Sequence, residues 1–476
     1  MSKFLSSTIR LLRPRDLCSR VDSPNPRKMR MPLLYHNQPR YAFTATTFTS
    51  METDDDFKTD VLYEPLEGIE RLENYRQGGY HPIQIGDHFH SRYRVVHKLG
   101  HGSYSTAWLA RDEQCNKYVA LKVCTANSNP KELDVISMLT RHCSTVDNLG
   151  KTMVPSILNR FTIHGPNGNH ACYVTALARA SLSRLKDGGW TRLFQPDVAR
   201  SLATQLVLVL DYVHAKGIVH GDVHLGNILL KVPPDFDQLS LEQLYKKYGA
   251  PERDPVVHLD GKQLPPGVPS HGIVPIWLGE SSEKITLAEA RILLTDFGES
   301  FSPSKEPKYE SYTPLVSRPP EARFEPDKPL SFSSDIWSLA CTIWSIIAQR
   351  PLFEGFMATE DYMTSEQVDT LGILPSEWWS RWEARLEKFT EDGTPINRKY
   401  FRSWDDRFKD SIEGPRRDRK IPSFDARERD AIFNLLRQML SFRPENRPTT
   451  KQILESEWMV KWALPEYGKI NKYVTE

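Results

Sequence analysis

The chain has 476 residues, enough for about three domains of roughly 150 residues or one large two-lobed unit. Its 39% apolar, 10% aromatic and 26% charged residues match a core-forming globular protein and exclude a wholly disordered chain. With 62 Lys and Arg against 61 Asp and Glu the formal charge is +1, which excludes a chain-wide nucleic-acid coat and makes electrostatic partner choice local.

Residues 1–50 carry nine Lys and Arg against Asp16 and Asp22, with several Ser and Thr. Two readings stand, an organellar transit peptide and a disordered basic arm; Pro14, Pro24 and Pro26 favour the arm because they interrupt a long amphipathic helix. From Glu52 to Glu73 nine acidic residues face only Lys58 and Arg71, so residues 1–75 read as a disordered extension. Patterned sequence starts at Tyr80-His81-Pro82-Ile83. This run and those at 93–96, 108–110 and 118–123 are short β-type stretches separated by Gly, Asn and Asp turns. A helix is predicted from about Pro130 to Arg141, and the runs Pro155–Ile163 and Ala171–Leu177 flank the turn Gly165-Pro-Asn-Gly-Asn169 as a hairpin. Strands with one helix make a first, smaller lobe.

After Gly188-Gly189 the apolar spacing turns helical, with Leu202, Leu206, Leu210 and Val213 on one face, and again at Asp335–Ala348 and Ala426–Leu440. The second lobe is mainly helical and the fold class is α+β. Between Asn227 and Asp296 lies a stretch with eight prolines, too long for a plain loop and expected to fold against the body. The longest apolar run, Ile336–Ala348, is too short to cross a bilayer. The six cysteines show no C-x-x-C pair and no metal spacing with His, and read as reduced thiols, mostly buried. There are no internal repeats.

The residues with chemical potential come in a fixed order. Leu99-Gly100-His101-Gly102-Ser103-Tyr104-Ser105 lies between two strand runs, where glycines let backbone N–H groups approach a phosphate; alone this is also ordinary turn chemistry. Lys122, in the apolar strand Val119-Ala120-Leu121-Lys122, needs an anionic partner unless it reaches solvent at an edge. His220-Gly221-Asp222-Val223-His224-Leu225-Gly226-Asn227 follows the amphipathic helix, and Asp296-Phe297-Gly298 follows an apolar run. Phosphoryl transfer asks for that set: an acceptor for a hydroxyl proton, Asp and Asn for Mg²⁺, and a lysine on nucleotide phosphates.

In this order the motifs resemble those of eukaryotic-type protein kinases over about residues 80–460. The chain is more specifically similar to the serine/arginine-rich-protein kinase family, in a divergent branch familiar from fungi. The marks are Tyr75-Arg-Gln-Gly-Gly-Tyr-His-Pro82, Ile85-Gly86-Asp87, Ser105-Thr-Ala-Trp-Leu109, Gly165-Pro-Asn-Gly-Asn-His170, Leu259-Asp-Gly261, Trp378-Trp379-Ser-Arg-Trp382 and Phe442-Arg-Pro-Glu-Asn-Arg-Pro448. The resemblance implies a bilobal protein-kinase fold, with a β-rich N-lobe (76–178) containing one main helix and a mainly α-helical C-lobe (179–462). The C-lobe would hold an insert at about 228–295, and 463–476 would be a tail. It implies ATP and Mg²⁺ as cofactors, with catalytic Asp222 accepting the substrate proton, Asn227 and Asp296 on the metal, and Lys122 on the α- and β-phosphates, paired with Glu132. Leu99, Gly100, Gly102, Ser105 and Ala107 would cover the nucleotide, Thr175 would be the gatekeeper, and Ala176 and Ala178 would bound the hinge. Arg318-Pro-Pro-Glu321 would pair with Arg447 under the substrate platform, and Asp335 would anchor the catalytic loop.

Departures from the pattern carry their own expectations. Ser105 replaces the third glycine and Ala107 the following valine, altering the lid. Gly221 replaces the arginine that grips a phosphorylated loop, so activity without loop phosphorylation is expected. His224 stands where a lysine is usual near the γ-phosphate, exchanging a fixed charge for a pH-dependent one. From Leu352 to Ile396 ten acids face three basic residues, which suggests either a docking surface for Arg/Ser-rich protein substrates or a solvated acidic face. The expected activity is a serine/threonine kinase for such proteins, monomeric, without nucleic acid or membrane, linked to mRNA processing, and cytoplasmic and nuclear, with mitochondrial import as the alternative. A nucleotide-binding pseudokinase and a small-molecule kinase are the competing readings.

Overall fold

The computed structural model describes residues 61–128, 131–141, 149–355, 358–396 and 402–470. The first lobe is an antiparallel six-stranded sheet: β1 His88–Phe89, β2 Tyr93–Gly102, β3 Ser105–Asp112, β4 Lys117–Cys124, β5 Ile157–Gly165 and β6 Gly168–Ala176, in spatial order β1-β2-β3-β4-β6-β5. Strand alternation gathers Tyr93, Val95, Trp108, Ala110, Val119, Leu121 and Val174 into one apolar cluster. Helix α1 (Lys131–Thr140) packs through Leu133 on Cys124 and Tyr173. Tyr80–Ile83, expected as a strand, is irregular. Gly78 at φ +82° turns the chain sharply before it, and Tyr80 N–H bonds the Asn74 carbonyl instead of a neighbouring strand.

A second sheet, β7 (Ala178–Ser181), β8 (Ile228–Lys231) and β11 (Ile292–Leu294), joins the lobes in the order β11-β8-β7; β9 (Arg253–Pro255) and β10 (His271–Ile273) pair separately. The helical lobe is built on α3 (Pro196–Ala215), which follows α2 (Leu182–Asp187) and starts with Pro at its first turn, where a missing N–H costs nothing. Leu202, Leu206, Leu210 and Val213 of α3 are sealed in a core with Trp337, Ile343, Trp344 and Ile347, each fully buried aliphatic contributing about 1.5–3 kcal/mol. Those partners lie on α6 (Phe332–Ile347), which follows α4 (Leu241–Tyr248) and the short α5 (Glu321–Phe324).

Three stretches read as extension, insert and tail are packed parts of this body. Tyr63, Leu72 and Tyr75 pack with Val256 and Val268, and Glu70 is buried between Lys98 and Tyr75. Counting charges made 61–75 look solvated, whereas Glu70 and Lys98 neutralise one another inside the protein. Phe236, Leu244, Ile276 and Leu278 of the proline-rich stretch cover Val96, Leu109, Tyr118 and Leu177 of the first lobe. Residues Leu464–Ile470 form a helix whose Ile470 is in the main core. Residues 1–60, with the basic arm, and 471–476 lie outside the described residues. Among those described no helix is long and apolar enough to cross a membrane, and Cys124, Cys172 and Cys341 are buried free thiols while Cys115 is exposed.

Two of the buried histidines of the first lobe, His97 and His81, are held neutral. Burial lowers the pKa of His97 and of His81 to about 4, the neighbouring His170 ring adding to the effect on His81. Unfolded, each titrates near 6.5, so between pH 6.5 and 4 the unfolded chain binds protons that the folded one does not. Their contribution is whole above pH 6.5 and is lost as pH falls toward 4, on the order of 3 kcal/mol each at ~1.4 kcal/mol per pKa unit. Urea unfolding followed by tryptophan fluorescence is expected to show a lower midpoint at pH 5 than at pH 7.5, with a flatter pH slope in His97→Gln. Equal midpoints would contradict it.

Candidate active site

The sheet register places Lys122 of β4 opposite Ala107 of β3, beneath the glycine hairpin where Gly102 pairs with Ser105. Lys122 Nζ donates to Glu132 Oε2 at 2.6 Å, and the Tyr173 hydroxyl donates to the same oxygen at 2.7 Å. Burial alone would lower the lysine's pKa; Tyr173, Glu132 and Asp296 outweigh it and raise it well above the ordinary value, so Lys122 is a permanent cation. A Cβ on Gly100 or Gly102 would meet nothing within 4 Å, so these glycines keep open a space the protein itself leaves unfilled. The Tyr80 hydroxyl donates to Gly102 O at 2.8 Å and ties the turn of the lid to the packed segment before β1. Ala176 ends β6 and Ala178 begins β7, so Thr175 to Ala178 bridge the two sheets.

Asp335, buried on α6, fixes the catalytic loop: its two oxygens accept His220 N–H (2.7 Å) and Gly221 N–H (2.9 Å), and His214 Nε2 lies 2.9 Å away. Burial would raise its pKa, but the bond to His214, the charges of His214 and His220, and the Gly221 N–H hold it below the usual carboxylate range. Asp222 Oδ2 accepts from Asn227 Nδ2 at 2.9 Å and lies 3.3 Å from His224 Nε2, while Oδ1 is buried with no partner. An unpartnered buried carboxylate oxygen is costly, and it is the atom an incoming hydroxyl could satisfy.

Asp296 has φ +62°, a left-handed conformation that Asp tolerates better than most residues and that re-aims its carboxylate. Its side chain is open to the cleft and makes no ion pair among the described residues. Surrounding protein raises its pKa, Lys122 opposes the rise, and Glu132 and Asp222 add to it. Asp296, with no bonded cation among the described residues, near Asp222 and beside an Asn227 amide whose nitrogen is already engaged, suits a divalent ion. The Lys122 cation and the empty glycine cradle suit a nucleotide's phosphates.

Below the cleft, Arg447 is fully buried and bidentate on Glu321, both contacts 2.7 Å. Lys122, Glu132, Asp222, Asn227 and Asp296 thus form one electrostatically linked set.

A protein kinase domain model matches residues 93–238 and 282–459. The chain belongs to the protein kinase family. A serine/threonine protein kinase of Aspergillus fumigatus is 26% identical over 405 residues, covering 82% of this chain and 90% of that one. Serine/threonine-protein kinase SRPK of Physarum polycephalum is 28% identical over 406 residues, 82% of this chain and 91% of the relative. Human SRSF protein kinase 3 is 39% identical over 166 residues, 34% of this chain and 29% of its own. A crystal structure of a kinase domain superposes with a TM-score of 0.53 at 16% identity, covering 80% of this chain and 98% of that one, a likeness of fold.

As a protein kinase the chain is unusual at Gly221, and the reason is steric. Gly221 has φ +79°, and a Cβ there would lie 2.6 Å from the Glu299 carbonyl, so no arginine fits. Gly221→Ala is expected to cost about 1–3 kcal/mol of stability and to lower turnover by displacing Asp222. Urea unfolding and kcat measured together check this; a neutral variant would show that the backbone relaxes freely.

His224 lies beside Asp222. Its Nδ1 accepts Gly226 N–H at 3.0 Å, and its Nε2 is 3.3 Å from Asp222 Oδ2. The ring passes so close that a Cβ on Gly226 would meet it at 2.6 Å.

The acidic stretch is also less negative than its count. Glu354 pairs with Arg350 and Arg402, Glu360 and Asp361 with Arg323, Glu366 with Arg407 and Glu377 with Arg443, all arginines outside 352–396. Sequence reading missed Glu70, Tyr80 and these arginines; the Tyr75–Pro82 motif was the one signal pointing to the first two.

Proposed function

We propose that this protein kinase transfers the γ-phosphate of ATP to a serine or threonine hydroxyl of Arg/Ser-rich proteins. The observation that carries the reading is the linked set around the cleft, in which Asp296 feels both the Lys122 and Glu132 pair and Asp222, whose Oδ1 has no partner. Asp222 Oδ1 accepts the substrate proton, with Asn227 and His224 fixing the other oxygen. Lys122 steadies the phosphates beneath Leu99, Gly100, Gly102, Ser105 and Ala107, and Ala176 and Ala178 flank the adenine. Asn227 and Asp296 hold Mg²⁺, which when bound neutralises charge developing on the phosphates.

The substrate class is supported by the relatives named as SRPK and SRSF kinases. We assign residues 76–178 and 179–462 to the two lobes, and place the protein in cytoplasm and nucleus as a monomer acting in mRNA processing. Transfer from labelled ATP with Mg²⁺ to Arg-Ser, basic and acidic peptides, with Asp222→Ala alongside, tests it. Selective labelling of the Arg-Ser peptide that vanishes in the variant is expected; equal labelling of all peptides, or none, overturns the substrate claim.

A further inference from the structure

The segment from Glu299 to Arg318 runs from the Asp296-Phe297-Gly298 turn toward the platform helix α5. It is stapled to the catalytic loop at several points. The Ser300 hydroxyl donates to His220 O at 2.9 Å, and Phe301 and Val219 exchange backbone hydrogen bonds of 3.1 and 2.9 Å. The Glu299 carbonyl abuts Gly221, and the Thr313 hydroxyl donates to Gly221 O at 3.0 Å. Kinase segments of this kind are commonly ordered by a phosphate paired with arginine. Here the arginine position is Gly221 and has no room for a side chain.

We propose that Lys308 closes this segment onto the catalytic loop, supplying from within the segment the ionic clip that a phosphate and an arginine would otherwise form. Lys308 Nζ donates to the Glu299 backbone oxygen at 2.9 Å and to the Glu299 carboxylate at 2.5 Å. The same ammonium lies 5.8 Å from the Phe301 ring centre and 5.4 Å from that of Tyr312. Its backbone oxygen accepts Leu330 N–H at 2.7 Å, so one residue connects the start of the segment, its end, and the approach to α6.

Only 18% of the Lys308 side chain is exposed, so its charge-assisted bonds are weakly screened. A second ion pair of the segment, Lys131 with Glu306, is 40% and 58% exposed and belongs to the class that contributes ~0–1 kcal/mol. Lys308 acts through Glu299 and Gly221 on the position of Asp222. It is a positioning residue and does not touch the nucleotide. Nucleotide affinity is set elsewhere, by Lys122 and the lid.

The turnover arm of this inference rests on the kinase reading; its structural arm does not. Full-length parent, Lys308→Met and Lys308→Arg, all treated with phosphatase, are compared by amide hydrogen exchange and by steady-state kinetics. Lys308→Met is expected to speed exchange at 300–314 and to lower kcat, each about tenfold, with the KM for ATP within about twofold, and Lys308→Arg to recover both. Should Lys308→Met fail to fold, Glu299→Gln carries the same expectation, because it removes the anion and keeps the backbone acceptor. Parent-like exchange at 300–314, or parent-like kcat, overturns the proposal. If the parent labels no peptide, the kinase reading falls and the exchange result alone decides the clip.

Discussion

Asp222→Asn is expected to lower kcat by about 10³-fold, within the 10²- to 10⁴-fold range of a lost general base, while leaving the fold and ATP binding intact. The substitution keeps the size of the side chain, and its amide oxygen still accepts from Asn227 Nδ2, so the loop held by Asp335 has no reason to move. What disappears is Oδ1 as a proton acceptor, the one oxygen of the residue that the protein leaves unbonded. Single-turnover transfer with Arg-Ser peptide, ATP affinity and urea unfolding separate these effects. A variant retaining more than about a tenth of parental kcat would remove Asp222 from its proposed role.

Much of this site was legible in the sequence because phosphoryl transfer fixes residue types at short, rigid spacings. Asp222 and Asn227 are five residues apart on one loop, and the intervening turn is capped by His224 itself. Lys122 was legible because a lysine in an apolar strand needs an anion, and Glu132 lies one strand end and one helical turn away. The lobes were legible through periodicity, two in the strands and 3.6 in α3 and α6.

Contacts between ordinary residues far apart in the chain were not legible. Glu70 meets Lys98, Tyr80 meets Gly102, and Arg402 and Arg407 reach back to Glu354 and Glu366; nothing about a glutamate in an acidic run announces a buried partner. Gly221 was read as a lost arginine, whereas its positive φ and the Glu299 carbonyl show a position that excludes one. The bond from Gly226 N–H to the His224 ring was likewise not legible from residue type, since only coordinates reveal it.

Breaking the Arg447 and Glu321 pair is expected to give the largest loss of stability. Arg447 is sealed from solvent, lies 5.1 Å from the Trp337 ring centre, and besides Glu321 donates to the carbonyls of Ser441, Ser333 and Phe442 at 2.8, 2.8 and 3.1 Å. Arg447→Met strands the Glu321 carboxylate in a dry site, at a cost of about 3–5 kcal/mol. Glu321→Gln leaves the guanidinium its three carbonyl acceptors and should cost less, about 1–3 kcal/mol. The double variant Arg447→Met with Glu321→Gln should recover part of the sum, because two charges that attract in the folded protein no longer need desolvating. Urea unfolding of the four chains measures the coupling directly. Additive losses would mean that the two side chains contribute independently, as packing, and that the platform beneath the segment 299–318 is held by its apolar contacts; a positive coupling would show that the ion pair itself stabilises it.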